Sequence, residues 1–161
     1  AERSFIVFSF GKTFHNTGWK IGYVLSPENL MAEFRKVHQF NVFAVNTPIQ
    51  YALADFLKEE KNYTEIPQFY QKKRDFFNLR LKSSRFRFIP SAGTYFQLLD
   101  YSKITKEKDS DFAVRLTKEF GVASIPISVF YQKNMESNAL RFCFAKTDET
   151  LEKATEILCK V

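Results

Sequence analysis

Cysteine and histidine are scarce in this 161-residue chain. Cys143 and Cys159 stand too far apart for a Cys-x-x-Cys motif, and His15 and His38 have no metal-ligand spacing to each other or to either cysteine. That usage predicts a reducing compartment, the cytoplasm, and no metal. No run of 18 apolar residues is present, so no membrane span is expected. Ala1-Glu2-Arg3 is followed only by the short apolar stretch Ser4–Phe10, with no small-residue cleavage pattern, so this stretch is not expected to be a secretory signal. The chain lacks an initiator methionine and enters an apolar strand at once, as expected of a piece cut from a larger protein. Internal repeats, low-complexity segments and a defensible Ser-His-Asp arrangement are all absent.

Apolar residues are plentiful, at 45%, enough for one ordinary domain or two small lobes with a sizeable core. The net charge of +6 is local. Lys72, Lys73, Arg74, Arg80, Lys82, Arg85 and Arg87 lie within one segment against the single acid Asp75, which leaves the rest of the chain neutral. No nucleic-acid-binding motif surrounds that cluster, so a solvated helix face is expected there and nucleic acid is not an expected partner. The nineteen phenylalanines read mainly as core. Phe14, Tyr95 and Phe130 are candidates to line a pocket for an apolar or aromatic side chain.

Ser4–Phe10 is apolar on both alternating faces, the pattern of a strand covered on both sides in a parallel sheet. A glycine-punctuated loop (Gly11, Gly18, Gly22) leads to a second strand over Trp19–Leu25. Ser26-Pro27-Glu28 opens a helix to about Phe40, with Ser26 expected at the N-cap, and Thr47-Pro48 opens another that reaches Glu60. The polar stretch Lys58–Asn62 is the expected boundary between residues 1–62 and 63–161. A long helix follows over Glu65–Lys82. Beyond it strands are expected at Arg85–Ile89, Thr94–Asp100 and Leu140–Ala145, and helices at Asp111–Phe120 and Asp148–Lys160, together a small α+β lobe.

The stretch from Ser9 to Tyr23 concentrates the chemistry. It sets Lys12 in a glycine-bounded turn straight after a buried strand, at the carboxyl end where ligands of open α/β sheets gather. Partial desolvation would favour its neutral amine, which attacks an aldehyde to form a Schiff base. The Ser9 hydroxyl and the Lys20 ammonium suit a dianionic phosphate beside that aldehyde. A plain surface turn with two solvated lysines is the alternative on spacing alone.

This stretch, with Ser-x-x-Lys (Ser9–Lys12) followed by Thr17-Gly18-Trp19-Lys20-Ile21-Gly22, resembles the cofactor-lysine motif of fold-type-I pyridoxal-phosphate enzymes, most closely the methionine/kynurenine-type class I/II aminotransferases. Four later segments resemble the same family in order: Gln39–Gln50, Pro90–Phe96, Gly121–Tyr131 and Leu140–Ala145. The resemblance implies an α/β chain, the carboxyl-terminal part of the fold-type-I transferase fold: the end of the large cofactor-binding domain over residues 1–62 and the small domain over 63–161. It implies pyridoxal 5′-phosphate as cofactor, with Lys12 as tether and base and with Ser9 and Lys20 as phosphate ligands. Many relatives carry arginine where Lys20 stands, so a point charge here replaces a bidentate fork. Arg141 matches the residue that grips the substrate α-carboxylate.

An amino acid, methionine, aromatic or otherwise apolar, and a 2-oxo acid are the implied substrates, and a homodimer the implied assembly. The family's aromatic residue stacked on the cofactor ring, its Asn-Pro segment, and its Asp and Tyr partners of the ring do not occur in this sequence. Half an active site is therefore expected, and the chain by itself is expected to be inactive. Two rival readings stand: carbon–sulfur β-elimination on the same fold, and a non-catalytic domain that presents its basic helix to an acidic partner.

Overall fold

The computed structural model describes residues 2–132 and 137–161. Its contacts divide the chain into two compact units, Ala1–Ile66 and Pro67–Val161.

In the first unit, β1 (Ile6–Ser9) pairs antiparallel with β2 (Gly22–Leu25) in the register Ile6↔Leu25 to Ser9↔Gly22. The doubly covered parallel strand anticipated for Ser4–Phe10 is not seen. Among the described residues β2 is its one partner, and Phe5, Ile6, Val7 and Phe8 are exposed. A chain that folds back through a compact loop pairs antiparallel, whereas a parallel neighbour requires a crossover connection. The second strand also starts three residues later than its apolar pattern suggests. Thr17–Trp19 forms a 3-10 turn and Lys20 adopts the left-handed conformation (φ 52°), which postpones extended backbone to Gly22. Between the strands lies a single-turn helix, α1 (Phe10–Thr13).

Helix α2 (Glu28–Asn41) begins one residue later than expected, because Pro27 is extended (ψ 154°) and itself takes the N-cap position. Ser26 is not the cap; its hydroxyl donates to the Pro27 carbonyl at 3.0 Å. Helix α3 (Thr47–Phe56) is capped by the Asn46 side chain, which accepts from the Ile49 N–H at 3.2 Å, and has proline in its first turn. The single turn α4 (Lys61–Thr64) closes the unit.

Helix α5 (Ile66–Arg80) leads into the second unit, where β3 (Phe96–Asp100), β5 (Ala139–Cys143) and β4 (Ile125–Pro126) form an antiparallel sheet in the order β3-β5-β4. Helices α6 (Asp109–Phe120) and α7 (Asp148–Leu158) complete it. One sheet face carries Leu99, Leu140 and Phe142 into a core shared with Phe77 of α5, Leu81 just after it, Phe112 and Leu116 of α6, and Leu151 and Leu158 of α7. The opposite face carries Phe96, Leu98, Arg141 and Cys143, as a period of two requires.

The strand expected over Arg85–Ile89 reduces to one bridge, Arg87↔Asp100. The reason is Gln97, buried at 1% exposure: its side-chain amide donates to the Ile89 carbonyl at 2.8 Å and accepts from the Ser91 N–H at 3.0 Å. A side chain thus takes the bonds that a continued ladder would have used, and Pro90 has no N–H to offer one. Among the described residues no helix is long and apolar enough to cross a membrane, and no cluster of His, Cys, Asp and Glu suits a metal.

Candidate functional site

Ser9 is the last residue of β1, Lys12 lies in α1, and Lys20 follows the 3-10 turn just before β2. One connection therefore holds all three residues singled out around the expected cofactor. It is closed by the Phe10 N–H bond to the Ile21 carbonyl at 3.2 Å and by the Thr17 hydroxyl bond to the Gly11 carbonyl at 3.1 Å.

Gly22 faces Ser9 so closely that a Cβ on it would sit 2.1 Å from the Phe8 carbonyl oxygen. Gly11 is buried under Thr17, whose Cα would lie 3.0 Å from an added Cβ. These two glycines let the loop fold back on its own strands. Lys20, a non-glycine residue at positive φ, is held in a sparsely populated conformation that often marks functional positions. Ser9, Lys12 and Lys20 are exposed, and among the described residues none of their side chains has a hydrogen-bond or ion-pair partner.

Arg141 belongs to the second unit, on β5, directly opposite Leu98 of β3 and Ile125 of β4. It is half-buried, while its strand neighbours Leu140 and Phe142 are in the core. The nearby acids in sequence are taken elsewhere: Asp148 by Lys73 at 2.6 Å and Glu149 by Lys153 at 2.6 Å. Among the described residues its guanidinium has no hydrogen-bonded partner. It lies instead against two rings, 4.8 Å from the centroid of Phe96 and 5.2 Å from that of Phe130.

Of the aromatic candidates for a pocket lining, Phe14 packs on Phe10 and Phe56, Tyr95 meets Phe96 edge-on, and Phe130 flanks Arg141. Phe96 beside Arg141 was not anticipated, although its place follows from the strand register once Phe96 is paired with Cys143.

The basic segment is largely consumed within its own unit. Lys73 pairs with Asp148, Arg74 with Asp75, and Arg80 with Glu152 and Glu156, while Arg85 donates to Val161. Ion pairs near the surface stabilise little, but these offset much of the positive charge on which the basic-partner reading depends.

The model of the family described as aminotransferase class I and II matches residues 1–158. The chain belongs to this family. Among aminotransferases of known sequence it is 49% identical to the methionine aminotransferase of Escherichia coli over 98% of its length, and 34% identical to kynurenine–oxoglutarate transaminase 1 of Homo sapiens over 99%. It covers 41% and 43% of those two proteins. Two solved structures align over 99% of the chain. One is the Escherichia coli methionine aminotransferase (48% identity, TM-score 0.94) and the other N-succinyldiaminopimelate aminotransferase from Mycobacterium tuberculosis (31%, TM-score 0.88); the chain covers 42% of each. Both have the fold-type-I architecture expected from the sequence, and this chain aligns with a part of it.

Aminotransferases of this family depend on pyridoxal 5′-phosphate, an aldehyde that carries a phosphate. The β1–β2 connection fits such a group by its donor set. It offers a primary amine, a hydroxyl and a second ammonium without protein partners, on a loop whose close approach at Gly22 tolerates no side chain.

Proposed function

We propose that the whole protein is a pyridoxal-phosphate-dependent aminotransferase that exchanges an amino group between an apolar amino acid, methionine or an aromatic one, and a 2-oxo acid. In this reading residues 1–62 end the large cofactor-binding domain, residues 63–161 form the small domain, and the protein acts as a homodimer in the cytoplasm. Its free cysteines suit a reducing compartment. The likeness to methionine and kynurenine aminotransferases supports the substrate class.

The observation that carries the reading is Lys12, an unpartnered amine between Ser9 and Lys20 in a chain of this family. When bound, the cofactor supplies an aldehyde that condenses with amines and a ring that accepts the electron pair left at the substrate α-carbon. Lys12 would anchor it through Nζ and would carry the substrate α-proton on the same atom. The Ser9 hydroxyl and the Lys20 ammonium hold the phosphate by charge-assisted hydrogen bonds. Arg141 would receive the substrate α-carboxylate in its two-pronged fork.

In the whole protein Lys12→Ala is expected to abolish the visible absorption of bound cofactor and nearly all turnover, since one amine serves as tether and base. A normal spectrum with normal turnover in that variant would refute the assignment. Assay of the products decides the reaction: exchange between amino and 2-oxo acids supports transamination, and release of pyruvate from a sulfur-bearing amino acid would assign β-elimination instead.

A further inference from the structure

A guanidinium on a long flexible stem needs something to fix its plane before it can meet a carboxylate with two parallel hydrogen bonds. Arg141 has no acidic or carbonyl partner to do so among the described residues. The rings of Phe96 and Phe130 orient it without using its donors. Phe96 is placed by the β3–β5 ladder. Phe130 has no ladder behind it: it is 59% exposed and ends the 3-10 turn Ser128–Phe130.

Asp109 fixes that turn. Its carboxylate, only 3% exposed, accepts the Ser128 N–H on Oδ2 and the Ser128 hydroxyl on Oδ1, each at 2.7 Å. The Ser110 N–H adds a third bond at 2.9 Å. Asp109 is the first residue of α6, and finishing the helix accounts only for the bond from Ser110. Both carboxylate oxygens also reach a serine nineteen residues away, which helix capping does not require. The bonds between the Tyr131 N–H and the Ser128 carbonyl (3.1 Å), and between the Phe130 N–H and the Ile127 carbonyl (3.2 Å), carry that anchoring along the turn to the ring.

We infer that Asp109 is a positioning residue for Arg141: by clamping Ser128 it holds the Phe130 ring against the guanidinium and keeps the arginine fork preset for a carboxylate. The inference rests on the reading of Arg141 given above.

The test uses the full-length holoenzyme and two probes, 3-phenylpropionate, which has a carboxylate and no amine, and 2-phenylethylamine, which has the reverse. Calorimetry measures the affinity of each, independently of turnover. Asp109→Ala and Phe130→Leu should each weaken the acid about three- to tenfold and leave the amine within about twofold. Because both changes act through one ring, the double variant should be no weaker than the worse single variant. Phe130→Tyr, which keeps the ring, should bind the acid as the parent does. If Asp109→Ala does not fold, Ser128→Ala, which removes only the hydroxyl bond, carries the same comparison with Phe130→Leu. Additive losses, or equal weakening of acid and amine, would mean that Asp109 only supports the fold. Arg141→Ala separates the two readings. If it weakens the acid while the Asp109, Ser128 and Phe130 variants do not, the positioning role alone falls. If it leaves acid binding intact, the assignment of Arg141 falls and takes this inference with it.

Discussion

At Gly22 a single methyl group decides whether the cofactor loop can close. An alanine there would place its Cβ 2.1 Å from the Phe8 carbonyl oxygen, a backbone atom that cannot swing aside, so the β1–β2 pair must open. Gly18 lies on the same loop, has open space around it and does not need positive φ. Gly22→Ala is therefore expected to cost about 1–3 kcal/mol, in line with other overpacked sites, and to weaken cofactor binding, whereas Gly18→Ala should do neither to a comparable degree. Thermal unfolding and pyridoxal-phosphate titration of the two variants in the whole protein make the comparison. Equal behaviour would show that the loop does not depend on this close approach.

Helix α6 and the segment that enters it are secured by Tyr101, which is fully buried and packs its ring 4.7 Å from that of Phe112. Its single hydroxyl proton is shared between the carbonyls of Glu107 (2.9 Å) and Ser137 (3.2 Å). Burial, followed by the nearby carboxylates Asp109, Glu107, Asp100 and Asp111, pushes the phenol up to about 12. An unfolded tyrosine ionises near pH 10, so the folded state holds its proton more tightly. The resulting stabilisation is whole below about pH 10 and drains away as the pH climbs from there toward 12. Tyr101→Phe should cost about 1–2 kcal/mol at pH 8 through the lost shared hydrogen bond, which leaves two carbonyls without their donor. It should also make the loss of stability between pH 10 and 12 shallower than in the parent. Urea unfolding of both proteins at pH 8 and pH 11 measures the two effects, and parallel alkaline limbs would contradict the role given to Tyr101.

Across the whole molecule, burial is uneven. The second unit holds the connected core of Phe77, Leu99, Phe112, Leu140 and Phe142, whereas in the first Ile21 and Leu53 are the large apolar side chains that are buried among the described residues. Local opening is easiest where few apolar contacts must break. In hydrogen exchange on the 161-residue polypeptide, the amides of Leu99, Leu140 and Phe142 should be the slow ones. Those of β1 and β2 should exchange at least about a hundredfold faster. Uniform protection across both units would contradict this distribution.

What the sequence determined by itself was local in origin. Alternation over Leu140–Phe144 is enough to turn Arg141 away from the core, and the glycines and lysines of the Ser9–Gly22 stretch specify a polar loop between two strands. Helix positions followed from apolar periodicity, with the start of α2 moved by one residue where Pro27 imposed its own backbone, and Lys20 likewise delayed strand β2. The aminotransferase family was legible too, because its motifs are short runs of neighbouring residues. Tertiary structure decided what depends on partners distant in the chain. Gln97 intercepts the bonds of the expected Arg85–Ile89 strand, Phe96 reaches Arg141 only through the β3–β5 register, and Asp109 finds Ser128 across nineteen residues. No period of two or 3.6 encodes such pairings. They arise because a buried amide or carboxylate must satisfy its hydrogen bonds with whatever the packed core brings within reach.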